Sequence, residues 1–185
     1  MRLENNIPVF QPVSLKNGKG VEILQEIKPD LVVVVAYGKI LPKEFLDYPK
    51  YGCINVHASI LPKYRGASPI HFAVLNGDKV TGVTVQQMDE GVDTGDILDI
   101  ITCEIGENDT TEHMYEVLAP LGATAMLRTV DMIENGTLKP VKQNEAEASH
   151  VGLLSKEMSK IDWTCSASTI HNKVRGLYSW PGAST

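Results

Sequence analysis

Two stretches decide how this chain folds: Cys53-Ile-Asn-Val-His-Ala-Ser-Ile-Leu-Pro-Lys-Tyr-Arg-Gly66 and Gly82-Val-Thr-Val-Gln-Gln-Met-Asp-Glu-Gly-Val-Asp-Thr-Gly-Asp96. Ile54 and Val56 are strand formers that alternate with Asn55 and His57, so an amide and an imidazole leave the same face of one strand. Val83 and Val85 open a second alternating strand, and Gly91, Gly95 and several carboxylates turn the chain after it. That loop carries Asp93 or Asp96 toward a strand-end pocket. A carboxamide, an imidazole and a carboxylate then face one cleft.

Outward from this pair, Leu31-Val-Val-Val-Val-Ala36 is a continuous β-branched run of the kind buried on both faces of a parallel sheet, and it reads as the central strand. Tyr37 to Pro42 must turn at its carboxyl end, where open α/β sheets place ligands. Ile7 to Phe10 reads as a short strand, and Val21, Leu24 and Ile27 as an amphipathic helix closed by Lys28-Pro29. Leu41 to Leu46 is a helical turn. Ser68-Pro69 starts a helix that Asn76-Gly77 ends. Ile97 to Ile105 is a strand. Asp109-Thr-Thr-Glu112 reads as a capping box for a long helix that Pro120 kinks or splits. Residues 139–150 form a polar surface connector, and Ser166 to Leu177 is a last helix. The fold class is α/β, with a mostly parallel sheet and flanking helices. The division expected is a catalytic domain over 1–138 and a connector and helix over 139–185.

The 185 residues suffice for one full domain, and 43% hydrophobic content for a core. With 17 Lys and Arg against 23 Asp and Glu, the net charge of -6 disfavours non-specific attraction to a polyanion, although Lys63 and Arg65 form a local basic pair. Cys53, Cys103 and Cys165 are odd in number and widely spaced, without a C-x-x-C pair or clustered histidines. They read as buried small apolar side chains in a reducing compartment, with no metal site. No apolar run approaches a membrane span and residues 1–6 lack a signal core, which predicts a soluble, cytoplasmic protein.

The three polar groups suit acyl transfer without a covalent enzyme intermediate. Asn55 donates to a developing oxyanion, on the order of 3 kcal/mol per donor. His57 carries the amine proton, and the aspartate orients the imidazole or a water. No G-x-S-x-G or reactive cysteine motif accompanies them. Each residue also has an ordinary structural reading: Asn55 in a local hydrogen bond, Asp93 and Asp96 as turn formers, His71 in packing, Lys63 and Arg65 as solvated charge.

Residue identity goes further than spacing. N-V-H-A-S-I-L-P-K-Y-R-G-A-S-P-I at 55–70 and the stretch at 82–96 closely resemble the folate-dependent formyltransferases. Supporting segments are I-P-V-F-Q-P at 7–12, P-D-L-V-V-V-V-A-Y-G-K-I-L-P at 29–42, L-S-K-E at 154–157, I-D-W at 161–163 and R-G-L-Y-S-W-P-G-A at 175–183. The resemblance implies a Rossmann-like formyltransferase sheet with Asn55, His57 and Asp93 as catalytic residues and 10-formyltetrahydrofolate as co-substrate. Ser59, Ile60, Leu61 and Pro62 fall on its folate-contacting segment. Tyr37, Gly38, Lys39, Ile40 and Leu41, with Met88, Asp89, Glu90, Gly91 and Val92, fall on the walls of its pterin site.

Within the family, Lys63, Arg65, I-D-W and W-P-G-A favour the branch whose acceptor is initiator methionyl-tRNA, with Lys63 and Arg65 as tRNA contacts. Formylation of a small amine or amino sugar, or an inactive folate-binding fragment, is the alternative. Family members begin with a strand-helix-strand unit carrying G-T-P-D-F and end in a small β-barrel. This chain resembles the part between, lacking the first strands, with Ser179 where the family usually has proline. The apolar edge so exposed predicts a homodimer.

Overall fold

The computed structural model describes residue 5 and residues 7–185; the reading of residues 1–6 as free of a signal core otherwise lies outside them. Lys19–Ile27 forms α1, which ends where Lys28 takes a left-handed conformation ahead of Pro29 and donates its N–H to the Leu24 carbonyl. Then follow β1 (Val32–Val35), α2 (Lys43–Leu46), β2 (Cys53–His57), β3 (Arg65–Gly66), α3 (Pro69–Leu75), β4 (Val80–Gln87) and β5 (Ile97–Glu104). After them come α4 (Thr111–Glu134), β6 (His150–Val151) and α5 (Ala167–Gly176).

The main sheet runs β1-β2-β4-β5, and β3 pairs with β6 beside it. Its period-two alternation separates two cores. Ile54, Val83 and Val85 face α3 and α4, where Ile70, Val74, Met114, Leu118 and Ala125 close a cluster of buried side chains. On the opposite face Val34 and Cys53 pack with Leu24, Leu41, Phe45 and Leu46. Each such aliphatic side chain contributes about 1.5–3 kcal/mol by leaving water. Asn55 and His57 therefore emerge on the second face, beside an apolar cluster rather than within one.

The α/β class with flanking helices stands, but the pairing is mixed: β1 and β2 are parallel, whereas β2–β4 and β4–β5 are antiparallel. A non-helical loop joins β4 to β5, and a hairpin connection of that kind returns the chain antiparallel. Among the described residues the Leu31–Ala36 run lies at the sheet edge, the position expected where the first strands are lacking, and not at its centre. Val34 is buried, but Val33 and Val35 are 45% and 61% exposed because α4 packs over β4 and β5 and only reaches β2. Ile7–Phe10 forms no strand. Thr110, not Asp109, caps α4, its hydroxyl accepting from the His113 N–H. Pro120 does not split that helix: it lies on the exposed side, where water serves the carbonyl its ring leaves unbonded. Among the cysteines only Cys53 is fully buried, and Cys165 is exposed. Among the described residues no helix is long and apolar enough to cross a membrane.

His71 on α3 bears out a packing role: its ring stands edge-on to Tyr115 at 5.8 Å, and Nδ1 is buried without a partner. Burial holds this imidazole below its ordinary value. An unfolded histidine takes up a proton as pH falls through about 6.5, while the folded ring resists, so stability is present above that pH and is lost below it. Thermal unfolding at about pH 7 and pH 5 is expected to show a fall in Tm on acidification that is smaller in His71→Leu.

Candidate active site

The register of β2 builds the site. Asn55 lies opposite Val34 and Gln86, and His57 opposite Thr84, so Asn55, His57, Thr84 and Gln86 share one face. The Asn55 carboxamide donates to the Val34 carbonyl at 3.3 Å, which occupies one of its two amide hydrogens. The buried His57 ring has Nε2 2.9 Å from the Tyr64 carbonyl oxygen. A carbonyl only accepts, so that nitrogen carries the proton. Nδ1 then faces Asp93 Oδ1 at 3.5 Å. A proton at Nδ1 completes an ion pair in a water-poor setting.

Of the two aspartates left open by the sequence, Asp93 is the one that meets the imidazole. It sits at φ 55°. Its carboxylate is fixed by the Gly66 N–H on Oδ2 (2.8 Å) and Gln86 Nε2 on Oδ1 (2.7 Å). Its carbonyl accepts from Gln143 Nε2 at 2.9 Å. Gln86 lies within the 82–96 stretch but is given no role there, and Gln143 lies in no motif. The first is foreshadowed only by sharing the parity of Thr84 on an alternating strand, the second by nothing local.

The segment Ser59 to Pro62 is tied down by the sheet. Thr84 Oγ1 donates to the Ser59 carbonyl (2.7 Å) and accepts from the Leu61 N–H (3.1 Å), while Ser59 Oγ donates to the Lys63 carbonyl (2.6 Å). Ser59 and Leu61 are buried; Ile60 and Pro62 are the partly exposed members. Tyr37, Gly38, Lys39 and Ile40 are exposed and Leu41 is buried in the second core. Across from them Met88 packs against that core. Asp89 closes its own loop, accepting from the Gly91 N–H and the Thr94 hydroxyl. Val92 is exposed, and Glu90 pairs with Lys43 of α2 at 3.1 Å on the surface.

Lys63 is exposed, but the reading of Arg65 as solvated charge is corrected. Arg65 is 1% exposed, and its guanidinium binds Gln143 and both carboxylate oxygens of Glu145. A charge so buried persists only when paired, and these bonds engage four of its five N–H groups. Cys53, on the same strand as His57, is no nucleophile: burial pushes its thiol up to about 11. Among the described residues no three His, Cys, Asp or Glu side chains gather as metal ligands.

Gly66 shows how tightly the loops meet. It lies at φ 109°, and a Cβ there would stand 2.2 Å from the Val151 carbonyl oxygen. Gly66→Ala is expected to lower stability by about 2 kcal/mol or more in denaturant titration, since backbone must shift to admit the methyl.

The formyl transferase family profile matches residues 2–130, and the profile of the formyl transferase C-terminal domain matches residues 153–185. A methionyl-tRNA formyltransferase of Clostridium perfringens strain 13 is 50% identical over 184 residues, and one of Agathobacter rectalis 48% identical over 183. Each comparison covers 99% of this chain, which spans 60% and 59% of those relatives. Among solved structures, the sugar 3N-formyltransferase WlaRD, with dTDP and 5-N-formyl-THF, superposes with TM-score 0.78 at 26% identity over 95% of this chain and 60% of its own. The Helicobacter canadensis N-formyltransferase, with folinic acid and dTDP-3-aminofucose, gives TM-score 0.71 at 28% identity over 78% of this chain and 53% of its own. With these matches and the shared fold, the chain belongs to the formyl transferase family.

Proposed function

We propose that this chain carries the reacting groups of a cytosolic methionyl-tRNA formyltransferase, which formylates the amino group of methionine on initiator tRNA. The observation that carries the reading is the buried His57 ring between the Tyr64 carbonyl and Asp93, with the half-free carboxamide of Asn55 beside it. The co-substrate, 10-formyltetrahydrofolate, supplies the formyl group on its N10. Asn55, with an amide hydrogen to spare, donates to the formyl oxygen as charge gathers there. His57 holds a proton at Nε2 against Tyr64 and takes at Nδ1, where Asp93 stabilises it, the proton that the attacking amine loses; a proton returns to N10 as the bond from the formyl carbon to N10 breaks and tetrahydrofolate leaves.

The residues present suit that donor. Exposed Tyr37, Ile40 and Val92 give apolar surface on the two segments that the family resemblance assigns to the pterin. Gln86 Oε1 is a buried acceptor lacking a partner on the polar floor. Ser59, Leu61, Asp89 and Gly91 support these walls from within, while Ile60, Pro62, Gly38, Lys39, Leu41, Met88, Glu90 and Val92 complete them. Lys63 remains as an exposed cation for tRNA phosphate. The division into 1–138 and 139–185 belongs to the same reading. A homodimer would pair the outer edge of β1, which has no strand partner among the described residues. Light scattering at the monomer mass would end that part.

A second reading, formylation of a nucleotide-linked amino sugar, draws on the names of the two solved structures, at 26% and 28% identity. The roughly twofold higher identity to the tRNA enzymes favours the first. With donor and methionyl-tRNA, mass detection of formylmethionine is expected to show transfer, reduced about 10²–10³-fold in Asn55→Ala and at least as much in His57→Ala. Equal rates for wild type and His57→Ala would remove these roles. Turnover only with an amino sugar would move the substrate to the second reading, and donor binding without any turnover would indicate a folate-binding fragment.

A further inference from the structure

Residues 131–152 fall between the stretches that the two family profiles match, yet Val141 to Val151 reaches both ends of the candidate active site. Val141 bridges to Ile97, just after the Asp93 loop. Gln143 Nε2 donates to the carbonyls of Asp93 (2.9 Å) and Gly95 (2.7 Å), and its Oε1 accepts from Arg65 Nε (3.0 Å) and Nη2 (2.8 Å). At the other end, Ser149 accepts the Arg65 N–H at its carbonyl (2.8 Å) and the Tyr64 N–H at its hydroxyl (2.9 Å). Tyr64 is the residue whose carbonyl holds His57. One strap thus fixes the carboxylate and the carbonyl on either side of the imidazole.

The amide of Gln143 has one orientation available. Carbonyls only accept and a guanidinium only donates, so exchanging its oxygen and nitrogen would set four like-natured groups against one another. Its anchor is equally constrained. The buried Arg65 guanidinium must be paired, and Glu145 is its ionic partner at 2.7 Å. That pairing, through the hydrogen bond to Arg65, holds the exposed Glu145 carboxyl below its ordinary value.

We infer that Gln143 is a positioning residue: anchored on Arg65 and Glu145, it grips the backbone at 93 and 95 and so sets the Asp93 carboxylate against His57. The inference rests on the proposed roles of Asp93 and His57. It acts on a residue at φ 55°, in the left-handed region that aspartate enters more readily than most side chains, so the hydrogen bonds to the 93 and 95 carbonyls set where its carboxylate points. Displacing a catalytic group by about 1 Å costs on the order of 100-fold in rate.

The test uses the whole chain carrying Gln143→Met, which keeps length and removes the amide. The expected result is a kcat for formyl transfer lowered about 10- to 100-fold with little change in KM for the folate donor. The ¹⁵N signal of His57 Nδ1 should also shift, because the carboxylate facing it has moved. Lys142→Ala, at the exposed neighbour, should match wild type in both. Glu145→Gln, which leaves Arg65 an acceptor but removes the charge, should move the same signal in the same direction by less. It decides the matter should Gln143→Met not fold. An unmoved His57 signal in a folded variant overturns the inference, whatever the turnover. A wild type that transfers no formyl group sinks the proposed function instead, while the His57 signal still decides this inference.

Discussion

A buried imidazole with a carbonyl on one nitrogen and a carboxylate facing the other is stable only if both partners are held by something other than the ring. Here the Tyr64 carbonyl and the Asp93 carboxylate lie on separate loops, the first leading into only the two-residue strand β3 and the second into a turn. Side-chain and backbone hydrogen bonds supply the restraint: Gly66 and Gln86 on the carboxylate, Gln143 on the backbone behind it, Ser149 on Tyr64. In a half-buried setting each such bond contributes about 1 kcal/mol net, but losing one leaves a buried polar atom unpaired, which costs more. The site is rigid because its polar groups have few alternatives.

The two apolar clusters divide the labour differently. Ile54, Val83, Val85 and Met114 join sheet to helix and fix the plane of β2. Val34, Leu41, Phe45 and Cys53 fill one end of the opposite face, leaving the other end to polar side chains. Since strand residues alternate, a one-residue slip of β2 would exchange Ile54 and Val56 for Asn55 and His57 in the main core, a penalty of several kcal/mol. The register that places the imidazole is therefore guarded by the hydrophobic residues between the polar ones.

What could be read in the chain follows from range. The alternation in Cys53–His57, the hairpin strands, the Ser166 and Asn76-Gly77 boundaries and the Asn55, His57 and Asp93 constellation all depend on neighbours within a few residues or on recognisable motifs, and they were legible. The run of four valines announced burial but not which neighbours would supply it, so an edge strand passed for a central one. Arg65 looked like solvated charge beside Lys63 because its partners lie 78 and 80 residues away. Gln143 sits in a polar stretch without period, where nothing local distinguishes a restraint from a linker. Pro120 marked a break that an exposed helix face tolerated.

The strap has a consequence for the order of assembly. Contacts closing the site span 50 residues between Asp93 and Gln143 and 85 between Tyr64 and Ser149. Loops of that length close slowly, because chain entropy is lost before the contacts repay it. During synthesis the sheet through β5 can pair, with Gly66 and Gln86 already on the Asp93 carboxylate, while Gln143 and Ser149 have yet to reach either loop. The strap thus tightens both loops around the imidazole from segments made after the sheet they rest on.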